Sequence, residues 1–236
     1  MHVHQLTYHY PKATRPVLDG VSFTLQPNKL NVLIGQNGAG KTTLFDCMTG
    51  TLSVDKESLE LVPTADMLYL TQLMYNHHEL TGKDFAYFIG RLSQRPDFKK
   101  LESYMNNLST SREQKLFEHL WTMKLGKMSV GEKKWLFVTL LSSIKRSLYL
   151  FDEPTSGVDP ASRIQIMRRL QRLVDEGNVS SPHISYMTWF NLMPMSSSCM
   201  VDAFCMKGTS KTGSTSLERP TRTKRSFGWL TRRLTM

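Results

Sequence analysis

The spacing of apolar residues divides the chain into a strand-rich first part and a region of helices. Up to residue 70 the pattern predicts strands: an alternating run at Val21, Phe23 and Leu25, a continuous run over 32–34, and a last short strand over 67–70. Alternation is typical of a strand with one buried face, whereas a short continuous run bounded by turn residues indicates a fully buried strand.

From about residue 77 to residue 127 the apolar spacing becomes helical. Thr81 and Asp84 form a capping pattern that opens a helix. The apolar positions of this helix are Phe85, Phe88, Ile89 and Leu92. A second helix is expected to carry Leu116, Phe117, Leu120, Trp121 and Leu125 on one face. We expect the apolar residues of both helices to pack in the hydrophobic core and to have no other role.

Helices and strands alternate in the second half of the chain. Ser129 followed by Glu132 is a capping box, which predicts a helix from 132 to about 144. A buried strand is expected over 147–151, and a helix with Asp159 as N-cap and Pro160 at its first position follows. The apolar positions of that helix are Ile164, Ile166, Leu170 and Val174, and Gly177 closes it. A third strand is expected over 184–188. Such alternation predicts an α/β fold with a mostly parallel sheet that is covered on both faces.

A glycine-rich segment links the strand over 32–34 to a helix-like run over 42–49, which Gly50 closes. It matches the pattern G-x-x-x-x-G-K-[ST] with Gly35, Gln36, Asn37, Gly38, Ala39, Gly40, Lys41, Thr42 and Thr43. Glycines let backbone N–H groups turn towards phosphate oxygens, and the helix N-terminus adds partial positive charge. Lys41 would contact β- and γ-phosphates and Thr42 would bind Mg²⁺. The alternative is a plain glycine turn before a helix, which the preceding strand disfavours.

Two carboxylates follow the buried strand over 147–151. Asp152 could hold Mg²⁺ beside Thr42, directly or through water. Glu153 could polarise a water molecule for in-line attack on a γ-phosphate. The alternative is a loop cap made of two exposed acids, but the phosphate-loop pattern upstream favours the catalytic interpretation.

Length and composition narrow the class of protein. The 236 residues suit one large domain or a core domain with a smaller lobe. No apolar run approaches the roughly 20 residues that a membrane span needs, and residues 1–4 do not begin a signal peptide. The three cysteines, Cys47, Cys199 and Cys205, have neither metal-site nor disulfide spacing. We therefore expect a reducing, cytoplasmic setting.

The net charge of +10 is concentrated near the end of the sequence. Residues 207–236 contain eight basic residues and a single acidic one, Glu218, amid Ser, Thr and Gly. The body is therefore nearly neutral, and we expect no nucleic-acid partner. This tail could contact anionic lipid headgroups or an acidic protein, or it could be a solvated segment without a fixed role.

In this order and spacing, the motifs resemble those of the ATP-binding-cassette (ABC) nucleotide-binding domains, over roughly residues 3–208. The segment 35–43 resembles the Walker A motif, and 148–153 resembles Walker B with the catalytic glutamate. Gln72 falls at the Q-loop position and Asp159 in the D-loop. The segment that resembles the signature motif contains Ser129, Val130, Gly131 and Glu132. Tyr10 matches the aromatic residue that stacks on adenine, with Tyr8 as the competing choice.

The resemblance implies a P-loop NTPase of ABC type: a mostly parallel sheet core, an antiparallel β subdomain and a small helical subdomain at about 77–145. The ABC domain would span 1–208, and a basic, flexible tail would span 209–236. It implies ATP and Mg²⁺ as cofactors, with Thr42, Gln72 and Asp152 around the metal and with Glu153 and Gln72 in catalysis.

The resemblance also implies partners. Two such domains would form a homodimer, or a heterodimer with another ABC subunit, and would enclose two ATP molecules head to tail. Each ATP would lie between the glycine loop of one subunit and the signature helix of the other. The pair would drive a separate integral-membrane permease from the inner face of the cell membrane.

Three residues depart from the family pattern. Val130 stands where the first signature glycine is expected, and Trp135 where a basic residue is common. Trp189 follows the strand over 184–188, at the position of the switch histidine, while His183 precedes that strand. Indole offers no acceptor to water, so we expect hydrolysis to be slowed. A soluble, non-transport ABC ATPase and a nucleotide-gated subunit with weak hydrolysis are the alternatives to a transporter ATPase.

Overall fold

The structure is a computed structural model that describes residues 1–72, 77–93, 100–108, 110–176, 185–190, 201–206 and 217–218. Its strands are β1 (His2–Tyr8), β2 (Leu18–Thr24), β3 (Leu30–Gly35), β4 (Leu59–Glu60), β5 (Met67–Leu70), β6 (Leu148–Phe151), β7 (Ser185–Phe190), β8 (Val201–Met206) and β9 (Leu217–Glu218). Its helices are α1 (Lys41–Met48), α2 (Gly82–Leu92), α3 (Glu102–Met105), α4 (Ser111–Thr122), α5 (Val130–Leu141) and α6 (Pro160–Glu176). Gly177, His183 and the tail beyond Glu218 lie outside the described residues.

The strands form two sheets, as the α/β prediction requires. A three-stranded antiparallel sheet has the order β2-β1-β4, and a six-stranded sheet has the order β5-β6-β7-β3-β8-β9. All pairs in the larger sheet are parallel except β8 with β9. A parallel core with a separate antiparallel sheet is therefore confirmed. Within the described part of the chain, no helix has the length and apolar character needed to cross a bilayer.

Strands β3 and β6 of the larger sheet are buried on both faces, which explains their continuous apolar runs. In β6, Leu148 and Leu150 pack with α1 and the antiparallel sheet. The alternate residues Tyr149 and Phe151 pack with α2, α4, α5 and α6. Successive strand residues point to opposite faces, so this one strand joins two hydrophobic clusters. Strand β3, which leads into the glycine loop, does the same, because Val32 belongs to one cluster and Leu33 to the other.

Local capping sets the helix starts as predicted. Thr81 and Asp84 form a complete capping box at α2, and Ser129 with Glu132 forms another at α5. Asp159 Oδ1 accepts from two backbone N–H groups at the start of α6, each at 3.0 Å. Helix α5 ends at Leu141, earlier than expected. The hydroxyls that follow it bond back to a carbonyl of its last turn, which competes with continued helix.

Several predicted core positions need correction. Helix α4 ends at Thr122, and Leu125 lies in a separate 3₁₀ turn, although it is still fully buried. Phe88 and Ile164 are 54% and 53% exposed, so their side chains are not part of the hydrophobic core of this chain. The short helix α3 was not predicted, because four residues carry too little periodicity to identify.

Two strand predictions also change. Strand β7 continues to Phe190, so Trp189 is its penultimate residue rather than the first residue after it. The strand continues past Thr188 because β3 runs on beside it: Trp189 pairs with Leu33 and Phe190 with Ile34, whereas the pairing with β6 ends at Thr188. Leu217 and Glu218, inside the tail expected to be flexible, pair with Met206 and Cys205 as β9.

Candidate functional site

The glycine loop lies between the end of β3 and the start of α1. Gly40 is the N-cap of α1 and has φ of 88°, a conformation that favours glycine. A Cβ atom there would lie 3.0 Å from Val17 Cγ1 and 3.1 Å from the Val17 carbonyl oxygen. Gly40 is therefore needed both for its backbone conformation and for the close packing of the loop against the segment before β2.

Lys41 is buried inside this loop, with only 6% of its surface exposed. Its Nζ donates to the Gly35 carbonyl at 2.9 Å and also to the Gln36 carbonyl. Burial lowers the pKa of Lys41, and the nearby carboxylates of Glu153 and Asp152 oppose that shift. The site thus holds a desolvated cation that an anionic ligand would stabilise.

Thr42 and Asp152 meet as the two motifs predicted. The Thr42 hydroxyl donates to Asp152 Oδ2 at 2.9 Å, across 110 residues of sequence. Asp152 is 3% exposed. Burial raises the pKa of this carboxyl, and the Thr42 hydrogen bond pulls it back down. A hydroxyl and a carboxylate are hard oxygen donors of the kind Mg²⁺ accepts, so the residues present fit a magnesium ion.

Gln72 and Glu153 form the second contact of the site. Gln72 Nε2 donates to Glu153 Oε2 at 2.7 Å, which joins the end of β5 to the end of β6. Glu153 has φ of 48°, in the left-handed region that non-glycine residues seldom adopt. Such a conformation costs about 1–3 kcal/mol and persists only where the surroundings hold it. Gln72 supplies part of that restraint on Glu153.

Lys134 supplies another restraint, which the sequence did not suggest. It lies in α5, is 7% exposed, and its Nζ donates to the Glu153 carbonyl oxygen at 2.9 Å. Burial lowers the pKa of Lys134, and Glu153 and Asp152 partly offset the shift. In the sequence, Lys133 and Lys134 look like two surface charges behind a capping box. The only signal was their proximity to Trp135, which is itself buried.

The two candidate adenine-stacking residues lie side by side, with ring centroids 5.1 Å apart and planes at 88°. The Tyr10 hydroxyl is 3.1 Å from Thr43 Oγ1 in the glycine loop, and 41% of Tyr10 is exposed. Tyr8 packs against the hydrophobic cluster under the antiparallel sheet, and burial raises its pKa. Only the Tyr10 ring combines a link to the loop with a free face, which favours it over Tyr8.

The signature residues and the D-loop form a second group at the starts of α5 and α6. Gly131 is packed so tightly that a Cβ atom there would lie 2.5 Å from Ser162 Oγ. Val130 is 52% exposed beside it. Hydrogen bonds from Ser162 and neighbouring N–H groups lower the pKa of Asp159. An open pocket of about 280 Å³ lies here, lined by Arg112, Leu116, Ser129, Gly131, Glu132, Ala161, Ser162 and Gln165.

Trp189 is placed only through its backbone. It lies opposite Leu33 of β3, one residue beyond the pair of Thr188 with Phe151 of β6. Its strand therefore ends at the same edge of the sheet as the glycine loop and Asp152. Its assignment as the switch position stays a prediction.

Comparisons with known proteins agree with this geometry. A family model described as "ABC transporter" matches residues 18–156. Relatives include an ABC transporter ATP-binding/permease protein of Mycobacterium tuberculosis, at 30% identity over 70% of this chain and 20% of that protein. A putative ABC transporter ATP-binding protein of Methanocaldococcus jannaschii is 29% identical over 73% of this chain and 66% of its own length. The chain thus covers less than two thirds of either relative.

Solved structures give the same fold. One, described as the ATP-binding subunit of an ABC transporter, matches with a TM-score of 0.65 at 17% identity, over 89% of this chain and 88% of that one. A nucleotide-free ATP-binding cassette matches with a TM-score of 0.65 at 18% identity, over 93% and 92%. Because the family model covers more than half of the sequence, including the glycine loop and both carboxylates of the site, the chain belongs to the ABC transporter family and carries its ATP-binding cassette.

Proposed function

We propose that this chain is an ATP-hydrolysing subunit that drives a separate integral-membrane permease through ATP-dependent dimerisation. The observation that carries the proposal is the hydrogen bond between Thr42 and Asp152, with the bond between Gln72 and Glu153 beside it. Together they bring the phosphate loop, the metal-binding carboxylate and the candidate base to one edge of the parallel sheet. The chain would act at the inner face of the cell membrane.

Nucleotide binding begins with an exchange of partners at Lys41. Its ammonium group releases the carbonyls of Gly35 and Gln36 and donates to phosphate oxygens instead. The loop amides of Asn37, Gly38, Ala39, Gly40, Lys41, Thr42 and Thr43 surround the phosphates. Tyr10 stacks on the adenine ring. Thr42, Asp152 and Gln72 would hold Mg²⁺, which would neutralise negative charge on the phosphates.

Glu153 is the group that handles the proton during hydrolysis. Its carboxylate orients a water molecule for attack on the γ-phosphate and accepts the proton of that water. Gln72 holds the carboxylate and Lys134 holds the backbone carbonyl of the same residue. These two contacts fix Glu153 in its left-handed conformation.

The signature and D-loop residues, at the starts of α5 and α6, contact the ATP that is bound to another subunit. A helix start offers free N–H groups to a phosphate. Val130 and Ile164 expose apolar surface on these two helices, which supports contact with another copy or with a related ABC subunit. ATP would lie between the subunits, and its hydrolysis would release them.

Turnover and co-purification test the proposal together. The chain, purified from detergent-solubilised membranes of its own cell, is expected to hydrolyse MgATP and to bring a polytopic membrane protein with it. Recovery with ribosomes or DNA instead would favour a soluble ABC ATPase. Turnover at the level of the Glu153→Gln variant would favour a nucleotide-gated subunit.

We predict that Lys134→Met lowers kcat by about tenfold or more while the affinity for ATP changes little. The lost hydrogen bond is donated by a charged group, and such bonds are worth about 1.5–3 kcal/mol. Steady-state ATPase assays give kcat, and nucleotide titration gives the affinity. Lys133→Met is the matched control, and Lys134→Arg should recover part of kcat. Equal losses in the Lys133 and Lys134 variants would contradict the positioning role.

We predict that Trp189→His raises the ATPase rate about tenfold or more. Imidazole can accept a hydrogen bond near the γ-phosphate, whereas indole only donates, and general acid–base groups contribute about 10²–10⁴-fold. Trp189→Phe removes the indole without adding an acceptor and should bring no gain. If the histidine variant is no faster than the parent, Trp189 does not occupy the switch position.

A further inference from the structure

A cluster of possible metal ligands lies on the antiparallel sheet, away from the glycine loop. His2, His4 and Glu60 each offer one ligand atom, and the three atoms lie within 4.8 Å of one another. His2 and His4 are two residues apart in β1, so they share one face of the strand. Glu60 reaches that face from β4, where it pairs directly with His2. Three separate side chains thus converge because of the register of the sheet.

The arrangement of the rings is compatible with a shared ion. The two imidazoles stack with centroids 5.7 Å apart and planes at 17°. His4 Nε2 is 4.0 Å from Glu60 Oε2. Ligand atoms on one tetrahedral Zn²⁺ lie about 3.3 Å apart, given bonds of about 2.0–2.2 Å. The side chains of His4 and Glu60 are 61% and 74% exposed, so small rotations can close the remaining distance.

Thr24 provides the supporting contact that metal-binding histidines usually have. His2 Nδ1 lies 2.9 Å from Thr24 Oγ1, and His2 pairs with Thr24 across β1 and β2. In the tautomer with a proton on Nδ1, that N–H donates to the hydroxyl and Nε2 keeps its lone pair for a metal. Such contacts fix the ring and its tautomer. His2 therefore stands between a supporting residue on one neighbouring strand and a fellow ligand on the other.

We propose that His2, His4 and Glu60 bind a divalent transition-metal ion, with Zn²⁺ as the best fit. Two imidazoles and a carboxylate form a donor set suited to Zn²⁺. Solvent completes the coordination, because the site is open. The ion fastens β4 to β1: β4 is an edge strand of only two residues, and its register with β1 consists of two residue pairs.

Calorimetric titration of the untagged chain with ZnCl₂, in the absence of nucleotide, tests this site. We expect one zinc ion per chain, with affinity reduced at least tenfold by His4→Ala or Glu60→Ala. Thr24→Val should weaken binding by about tenfold, the effect typical of lost supporting contacts. The matched control is His119→Ala, which removes an exposed histidine from α4 and should change nothing.

Thermal unfolding gives a second, independent measurement. Zinc at 100 times its Kd should raise the Tm of the parent by several degrees and leave that of His4→Ala unchanged. Titration with MgATP should give the same affinity for both proteins, which separates this site from the nucleotide site. The proposal is overturned if the parent binds no zinc, or if zinc binding persists at full affinity in both His4→Ala and Glu60→Ala.

Discussion

Replacing Lys41 with alanine is expected to weaken MgATP binding at least about 30-fold. Removal of one partner from a buried, hydrogen-bonded charge pair costs about 2–5 kcal/mol, and Lys41 is the cation that the loop itself encloses. Calorimetric titration measures the loss directly. Thermal unfolding adds a second measurement: at 100 times Kd, MgATP should raise the Tm of the parent by about 5–10 °C and should leave the Lys41→Ala variant unchanged.

The same substitution should leave the nucleotide-free fold intact. Burial lowers the pKa of Lys41, and the carboxylates of Glu153 and Asp152 offset that shift only in part, so the charged side chain is held at a net cost. Removing it relieves that cost, and the unliganded Tm should stay close to that of the parent. Lys83→Ala, on the exposed side of α2, is the matched control for loss of a lysine. Unchanged ATP affinity in the Lys41 variant would refute the assignment of the loop.

The elements that the sequence predicted best are those set by neighbouring residues. Thr81 with Asp84 and Ser129 with Glu132 cap their helices as expected, because each box needs only residues three positions apart. The proximity of Thr42 and Asp152 was also anticipated, although not the direct hydrogen bond between them. Thr42 follows β3 and Asp152 follows β6, and both strands are parallel members of one sheet. Parallel strands bring their carboxyl ends to a common edge.

The features that were missed depend on contacts distant in sequence. Lys134 is buried because α5 packs against the turn after β6, and its only sequence signal is the adjacent Trp135. Phe88 and Ile164 fall on apolar helical spacings, yet both are exposed. Periodicity shows that a helix face is apolar, but it does not show whether this chain or another covers it. The convergence of His2 with Glu60 likewise depends on strand pairing.

Glu153→Gln should reduce the ATPase rate by at least about 100-fold while MgATP still binds. The amide has nearly the same shape as the carboxylate, and its oxygen can still accept the 2.7 Å hydrogen bond from Gln72. Lys134 contacts the backbone carbonyl at this position, so that contact also survives the change. What disappears is the group that accepts the proton of the attacking water, and such a base contributes about 10²–10⁴-fold. Steady-state phosphate release measures the rate, and calorimetric titration measures binding.

This variant also tests the proposed dimer, because ATP that cannot be hydrolysed should keep the two subunits together. Light scattering after size-exclusion chromatography in MgATP should show a dimer for Glu153→Gln and a monomer for the double variant with Lys41→Ala. Glu118→Gln, on the exposed face of α4, is the matched control and should hydrolyse ATP at the parent rate. Near-normal turnover in Glu153→Gln would show that Glu153 is not the general base. A variant that binds ATP and stays monomeric would contradict the head-to-tail arrangement, since the bound nucleotide would then have no signature helix to meet.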